Sequence, residues 1–199
     1  MRVIRKATSL PASAPLQRRH LLLLAAAGVL AGPALANDAP PTEVAAELPG
    51  ARLQGSGRLR VLLFQVYDAR LWSAAPVVPE VWSTAPLALE VQYLRKLDGK
   101  TIAESSLDQM RKQGEIAAAT ADRWLREMLA IFPDVVAGDR LTAVQLPGTG
   151  ARIFINGKLK GEVRDPEFAR AFFGIWLSPR TSEPALRAAL LGGAQAGGR

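Results

Sequence analysis

The chain contains no cysteine, and its single histidine is His20, near the amino terminus. Without cysteine there is no disulfide framework, no thiol nucleophile and no thiolate metal site. Beyond residue 36 no imidazole remains, so Ser-His triads and histidine ligation of zinc, copper or haem are closed to that part of the chain. No cofactor and no metal are therefore expected. Tyrosine is also scarce, with two in 199 residues. Any chemistry falls to Arg, Lys, Tyr and carboxylates, or else the chain only binds.

A long apolar run is missing too. Leu21–Ala31 falls well short of the roughly 20 apolar residues of a membrane-spanning helix, and Gly32-Pro33 closes it. Basic Arg2, Arg5, Lys6, Arg18 and Arg19 precede it without an acid, and Ala34-Leu35-Ala36 follows. That order is a secretory leader over residues 1–36, with cleavage after Ala36, periplasmic delivery and no stable membrane anchor. Arg18-Arg19 ahead of the run also suits the twin-arginine route. Without the leader, 20 basic residues face 18 acids, so a charge of +7 becomes +2. Basic and acidic residues interleave, which argues against a nucleic-acid partner. The remaining 163 residues suit one domain, expected as a monomer.

Residues 37–50 are small and Pro-rich without period, and read as a flexible lead-in. The domain is placed at 51–192, with 193–199 a tail. From Arg58 the run RLRVLLFQVYDARLW is apolar on both faces and predicts one central strand. Gly55-Ser56-Gly57 ahead of it supplies backbone freedom rather than a phosphate cradle, because no helix follows. Leu87–Tyr93 alternates as a strand, and Thr101-Ile102-Ala103-Glu104 has the form of a capping box opening a helix. Ala121, Trp124, Leu125, Met128, Leu129 and Phe132 mark a second helix, stopped by Pro133.

Leu141–Leu146 is a strand. Asn156-Gly157 then predicts a type I′ turn joining two more, with Arg152 facing Gly161 and Phe154 facing Leu159. Asp165-Pro166 starts an aromatic helix carrying Phe168, Phe172, Ile175 and Trp176, and a last helix follows Thr181-Ser182. Strands and helices in blocks indicate an α+β fold, an antiparallel sheet covered by helices on one side.

Three segments carry a resemblance: GSGRLRVLLFQVYDARLW, LALEVQYLRKLDGKTIAESS and FPDVVAGDRLTAVQLPGTGARIFINGKLKGEVRDPEFARAFFGIWLSP. They resemble the bacterial chalcone isomerase-like family over about residues 51–192. The resemblance implies an open-faced sandwich with a ligand cleft between sheet and helices. Plant isomerases of that superfamily use an arginine, a threonine and a tyrosine on strands, and a tyrosine–asparagine pair on a helix. Here the threonine position falls at Leu62, the helix tyrosine at Ile102 and the asparagine at Gln109, a set that argues against isomerase activity. Fatty-acid-binding members hold a carboxylate with arginine and tyrosine, a role the resemblance gives to Arg58 or Arg60 with Tyr67 or Tyr93. Arg152, on an otherwise apolar strand face, needs an anion, either a ligand carboxylate or an internal acid such as Asp68, Glu162 or Asp165. The expected function is non-catalytic binding of a small amphipathic ligand such as a fatty acid. An isomerase or lyase on another substrate, and a module meeting a periplasmic protein partner, are the alternatives.

Overall fold

The structure, a computed structural model, describes residues 39–192. The expected leader and tail lie outside the described residues. Six strands form one antiparallel sheet in chain order: β1 (Arg52–Val61), β2 (Phe64–Ser73), β3 (Leu87–Tyr93), β4 (Arg140–Leu146), β5 (Gly150–Ile155) and β6 (Lys158–Val163). Helices α2 (Gly99–Arg111) and α3 (Ala118–Ile131) interrupt the strands, α4 (Pro166–Leu177) and α5 (Pro184–Leu190) follow them, and α1 (Thr42–Glu47) precedes them. The α+β class expected from the blocks is the one observed.

The run read as one central strand is instead a hairpin. Val61 pairs with Phe64, leaving Leu62-Leu63 as a two-residue turn, and β1 is the sheet edge. At about 3.3 Å per residue a single 15-residue strand would far outrun its seven-residue neighbour β3, whereas folding back gives both arms backbone partners. The glycines ahead of the turn have a different use from the one expected. A Cβ at Gly55 would stand 2.1 Å from the Ala189 carbonyl, and one at Gly57 would stand 2.6 Å from Leu186 Cδ1. They let α5 lie directly on the β1 backbone.

The NG turn forms as predicted, with Asn156 and Gly157 both at positive φ. Beyond it a bulge after Ile153 shifts the register, so Arg152 faces Glu162 while Phe154 still faces Leu159. Asp165 caps α4 by accepting from the amides of Glu167 (2.8 Å) and Phe168 (3.1 Å), and also accepts from Trp124 Nε1 at 2.9 Å. The capping box at Thr101 is not used. The α2 helix begins earlier, and the Gly99 amide donates to Asp134 Oδ1 at 2.9 Å.

Helices α2 to α5 cover one face of the sheet. There Leu71, Leu89, Val91, Ala143 and Ile153 meet Phe168 and Phe172, the last two fully buried. Trp124, Phe168, Phe172 and Trp176 form a run of adjacent rings with centroids 5.5 to 5.7 Å apart. Burial of each such side chain stabilises by about 1.5–3 kcal/mol, which makes α4 the main clamp on the sheet.

The opposite face holds the largest departure from expectation. Residues 42–47, assigned to the flexible lead-in, form α1, whose Val44 is fully buried against Trp72, Ala88, Val144 and Phe154. Glu43 is buried as well, accepting from Arg140 Nη2 at 3.0 Å and from Thr142 Oγ1 at 2.8 Å. The helices are thus not all on one side. A six-residue helix is too short to persist alone, so its order comes from this docking.

Candidate ligand-binding cavity

Between the β1–β3 end of the sheet and helices α2 and α4 lies a cavity of about 320 Å³. Its sheet wall is Leu59, Val61, Val66, Tyr67, Val91 and Tyr93. Val66 and Tyr67 are consecutive yet both line it, because the β1–β2 register slips between Leu59 and Arg60 and makes Val66 the extra residue. Phe172, Ile175 and Trp176 of α4 close the far side, with Phe132 and Leu141 beneath. The α2 helix contributes Thr101, Ile102, Ser105, Ser106 and Gln109, an i, i+4, i+8 face.

The two tyrosines sit opposite each other across β2 and β3, rings edge-on at 6.4 Å. Tyr67 Oη accepts from Trp176 Nε1 at 2.8 Å, tying strand to helix. Tyr93 Oη has no hydrogen-bond partner among the described residues and is open to the cavity. Burial pushes both phenols well above the usual tyrosine range: for Tyr67 it outweighs the opposing Trp176 hydrogen bond, and for Tyr93 it acts with the neighbouring Tyr67. Both stay protonated, as donors and acceptors but not bases.

On the helix side Ser106 Oγ donates to the Ile102 carbonyl (2.7 Å) and Gln109 Oε1 accepts from Ser182 Oγ (2.9 Å). The Thr101 and Ser105 hydroxyls make no side-chain hydrogen bond among the described residues and border the cavity. Among the described residues Glu183 is the one charged side chain in the lining, with no Arg, Lys or His. Apolar walls with a few neutral hydroxyls suit an uncharged or weakly polar body.

Of the five candidate residues the structure brings two together, Tyr67 and Tyr93. The three arginines lie elsewhere. Arg58 donates to Asp68 Oδ2 (2.8 Å) and Gln65 Oε1 (2.7 Å) on the solvent side of the hairpin. Arg152 donates to Glu47 Oε2 at 2.7 Å and stands 3.7 Å from Glu162, so the anion it needs is internal. Arg60 is exposed beside the hairpin tip. Sequence reasoning missed Thr101 and Ser105, whose signal was a polar stripe spaced by four residues beside the apolar Ala103, Leu107 and Met110. Ile102 and Gln109, where the resemblance put tyrosine and asparagine, do face the cavity, whereas Leu62 sits at the turn. Among the described residues no three His, Cys, Asp or Glu side chains stand close enough to hold a metal.

A six-stranded antiparallel meander with an aromatic helix closing an apolar pocket defines the chalcone isomerase-like class. The sequence profile of that family matches residues 36–192, and the chain belongs to it. An uncharacterized protein of Haemophilus influenzae is 31% identical over 129 residues, a match covering 65% of this chain and 62% of that one. This chain thus spans under two thirds of that relative. The crystal structure of an Arabidopsis thaliana fatty-acid binding protein superposes with a TM-score of 0.60, covering 74% of this chain and 90% of that one. At 14% identity the likeness is one of fold.

Proposed function

We propose that this is an exported binding protein that holds one small amphipathic ligand, such as a fatty acid, without converting it. The observation that carries the reading is the cavity itself, apolar on three sides, with the Tyr93 hydroxyl inside it and those of Thr101 and Ser105 at its exposed edge. Its volume of about 320 Å³ is at the small end of the roughly 300–1,000 Å³ typical of ligand pockets, which suits one chain rather than a bulky lipid. The fatty-acid binding neighbour supports the ligand class by analogy of fold.

The head group is treated differently from the sequence expectation. A carboxylate deep in the cavity would find no cation and would stand near Glu183, which is unfavourable in a poorly solvated site. The reading therefore puts the acyl chain inside and the carboxylate at the mouth. Extraction of the purified protein followed by mass spectrometry tests it: a stoichiometric acyl ligand is the expected result, and an empty cavity that takes up no acid on titration would overturn it.

Export rests on the residue order of the leader. A reporter fused behind residues 1–36 should reach the periplasm with its new terminus at Asn37. Replacing Arg18 and Arg19 by Lys should block that only if the twin-arginine route is used.

A further inference from the structure

The β1–β2 turn carries an apolar tip that folding does not use. Leu62 and Leu63 are 90% and 96% exposed, and Val61 and Phe64 on either side are 51% and 60% exposed. Two-residue hairpin turns favour Asn and Gly, yet here Leu62 occupies the left-handed region at φ 55°. Leucine there gains nothing for the turn and buries nothing in the sheet. Its side chain is therefore left free to meet something outside the molecule.

Cations surround the tip. Arg95 lies over the Phe64 ring at 5.1 Å, and Arg60 is exposed one residue before Val61. Arg58 is already neutralised by Asp68, which leaves Arg60 and Arg95 as the free positive charges beside the apolar residues. The tip is also continuous with the cavity, because Val61 is half exposed on the tip and lines the cavity at the same time.

We propose that this hairpin docks the protein on a lipid bilayer bearing anionic head groups, with Leu62 and Leu63 among the acyl chains and Arg60 and Arg95 on the phosphates. A tip of four residues falls short of the 20–30 residues, about 800 Å² a side, that a stable protein interface uses. A bilayer needs no such area, since it accepts a narrow apolar wedge and rewards flanking arginines. Docking in this pose brings the Val61 end of the cavity to the head-group level. An acyl chain could then pass between membrane and cavity without crossing water, and this last consequence alone rests on the ligand proposed above.

The test uses the chain from Ala36 to Arg199, which contains every described element and the whole family match. The leader is left off because its own apolar run would bind lipid. Sedimentation with vesicles of phosphatidylcholine, alone or mixed in equal parts with phosphatidylglycerol, should show binding that is stronger on the mixed vesicles. Leu62→Gly with Leu63→Asn puts glycine at the one turn position of positive φ, so it should keep or raise the thermal midpoint while weakening vesicle binding about tenfold or more. Arg60→Gln with Arg95→Gln should remove the preference for phosphatidylglycerol. Failure of the wild-type chain to sediment, or equal sedimentation of the turn variant, overturns the proposal. So does tip-dependent self-association without vesicle binding, which would make a second copy the occupant. Vesicle binding by a protein that takes up no fatty acid would uphold the docking and overturn the cavity reading instead.

Discussion

Trp176 Nε1 donates to Tyr67 Oη at 2.8 Å, joining the last turns of α4 to the second strand across the cavity. This bond holds one of the two tyrosines against the helix and leaves the other, Tyr93, free toward the pocket. It also sets the width of the cavity between sheet and helix.

Removing the indole should therefore loosen both fold and pocket. Trp176→Phe keeps most of the ring and leaves the Tyr67 hydroxyl without its donor, an expected loss of about 1–3 kcal/mol. Trp176→Ala should cost about 3–5 kcal/mol, since it also deletes the ring packed on Phe172. Urea denaturation of both variants measures this. Losses below about 0.5 kcal/mol would contradict the packing of α4.

The tyrosines give a pH signature. Because the chain has only two and both line the cavity, phenolate absorbance should stay absent near pH 10 while the protein is folded. The raised folded-state values mean folding favours the protonated phenols. Their contribution is full below about pH 10, the unfolded value, and is lost as pH rises toward the folded value, so stability should fall with alkali. Ordinary titration of either residue in the folded protein would show that the cavity is open to water.

The α1 helix predicts stability effects far from the cavity. Val44→Ala should cost about 2 kcal/mol through lost burial, and Glu43→Ala about 1–3 kcal/mol by leaving Arg140 and Thr142 without their acceptor. Were residues 37–50 the flexible lead-in that composition suggests, both variants would match the parent protein in denaturant.

What the sequence made legible follows from where the signal resides. Asn156-Gly157, Asp165-Pro166 and the aromatic spacing of α4 are local devices whose conformation is written in their own residues, and each forms as read. The Leu62-Leu63 turn carries none of the usual turn residues, so the hairpin was invisible and the run read as one strand, with no sign of the bulge that turns Val66 toward the cavity. That error carried into the site, because whether Arg58 or Arg60 meets the helices depends on where the strand turns and where it bulges. The α1 helix was hidden for another reason: its order comes from Arg140 and Thr142, about a hundred residues away. Tyr67 and Tyr93 were recoverable as tyrosines on apolar strand faces. Thr101 and Ser105 left only a faint trace, a polar stripe spaced by four residues, since exposed hydroxyls on a helix usually face solvent.

The account turns on whether an acyl chain enters the cavity between β1–β3 and α2. Calorimetric titration of a fatty acid into the wild-type protein, Tyr93→Phe and Ser105→Trp tests this most directly. Ser105 is exposed at the cavity edge, so tryptophan there can fill the opening without entering the core. The account predicts one-to-one binding by the wild type, little change for Tyr93→Phe if the chain rather than the head group is buried, and loss of about tenfold or more for Ser105→Trp at an unchanged thermal midpoint. Binding by Ser105→Trp equal to wild type, or none by the wild type, would contradict it.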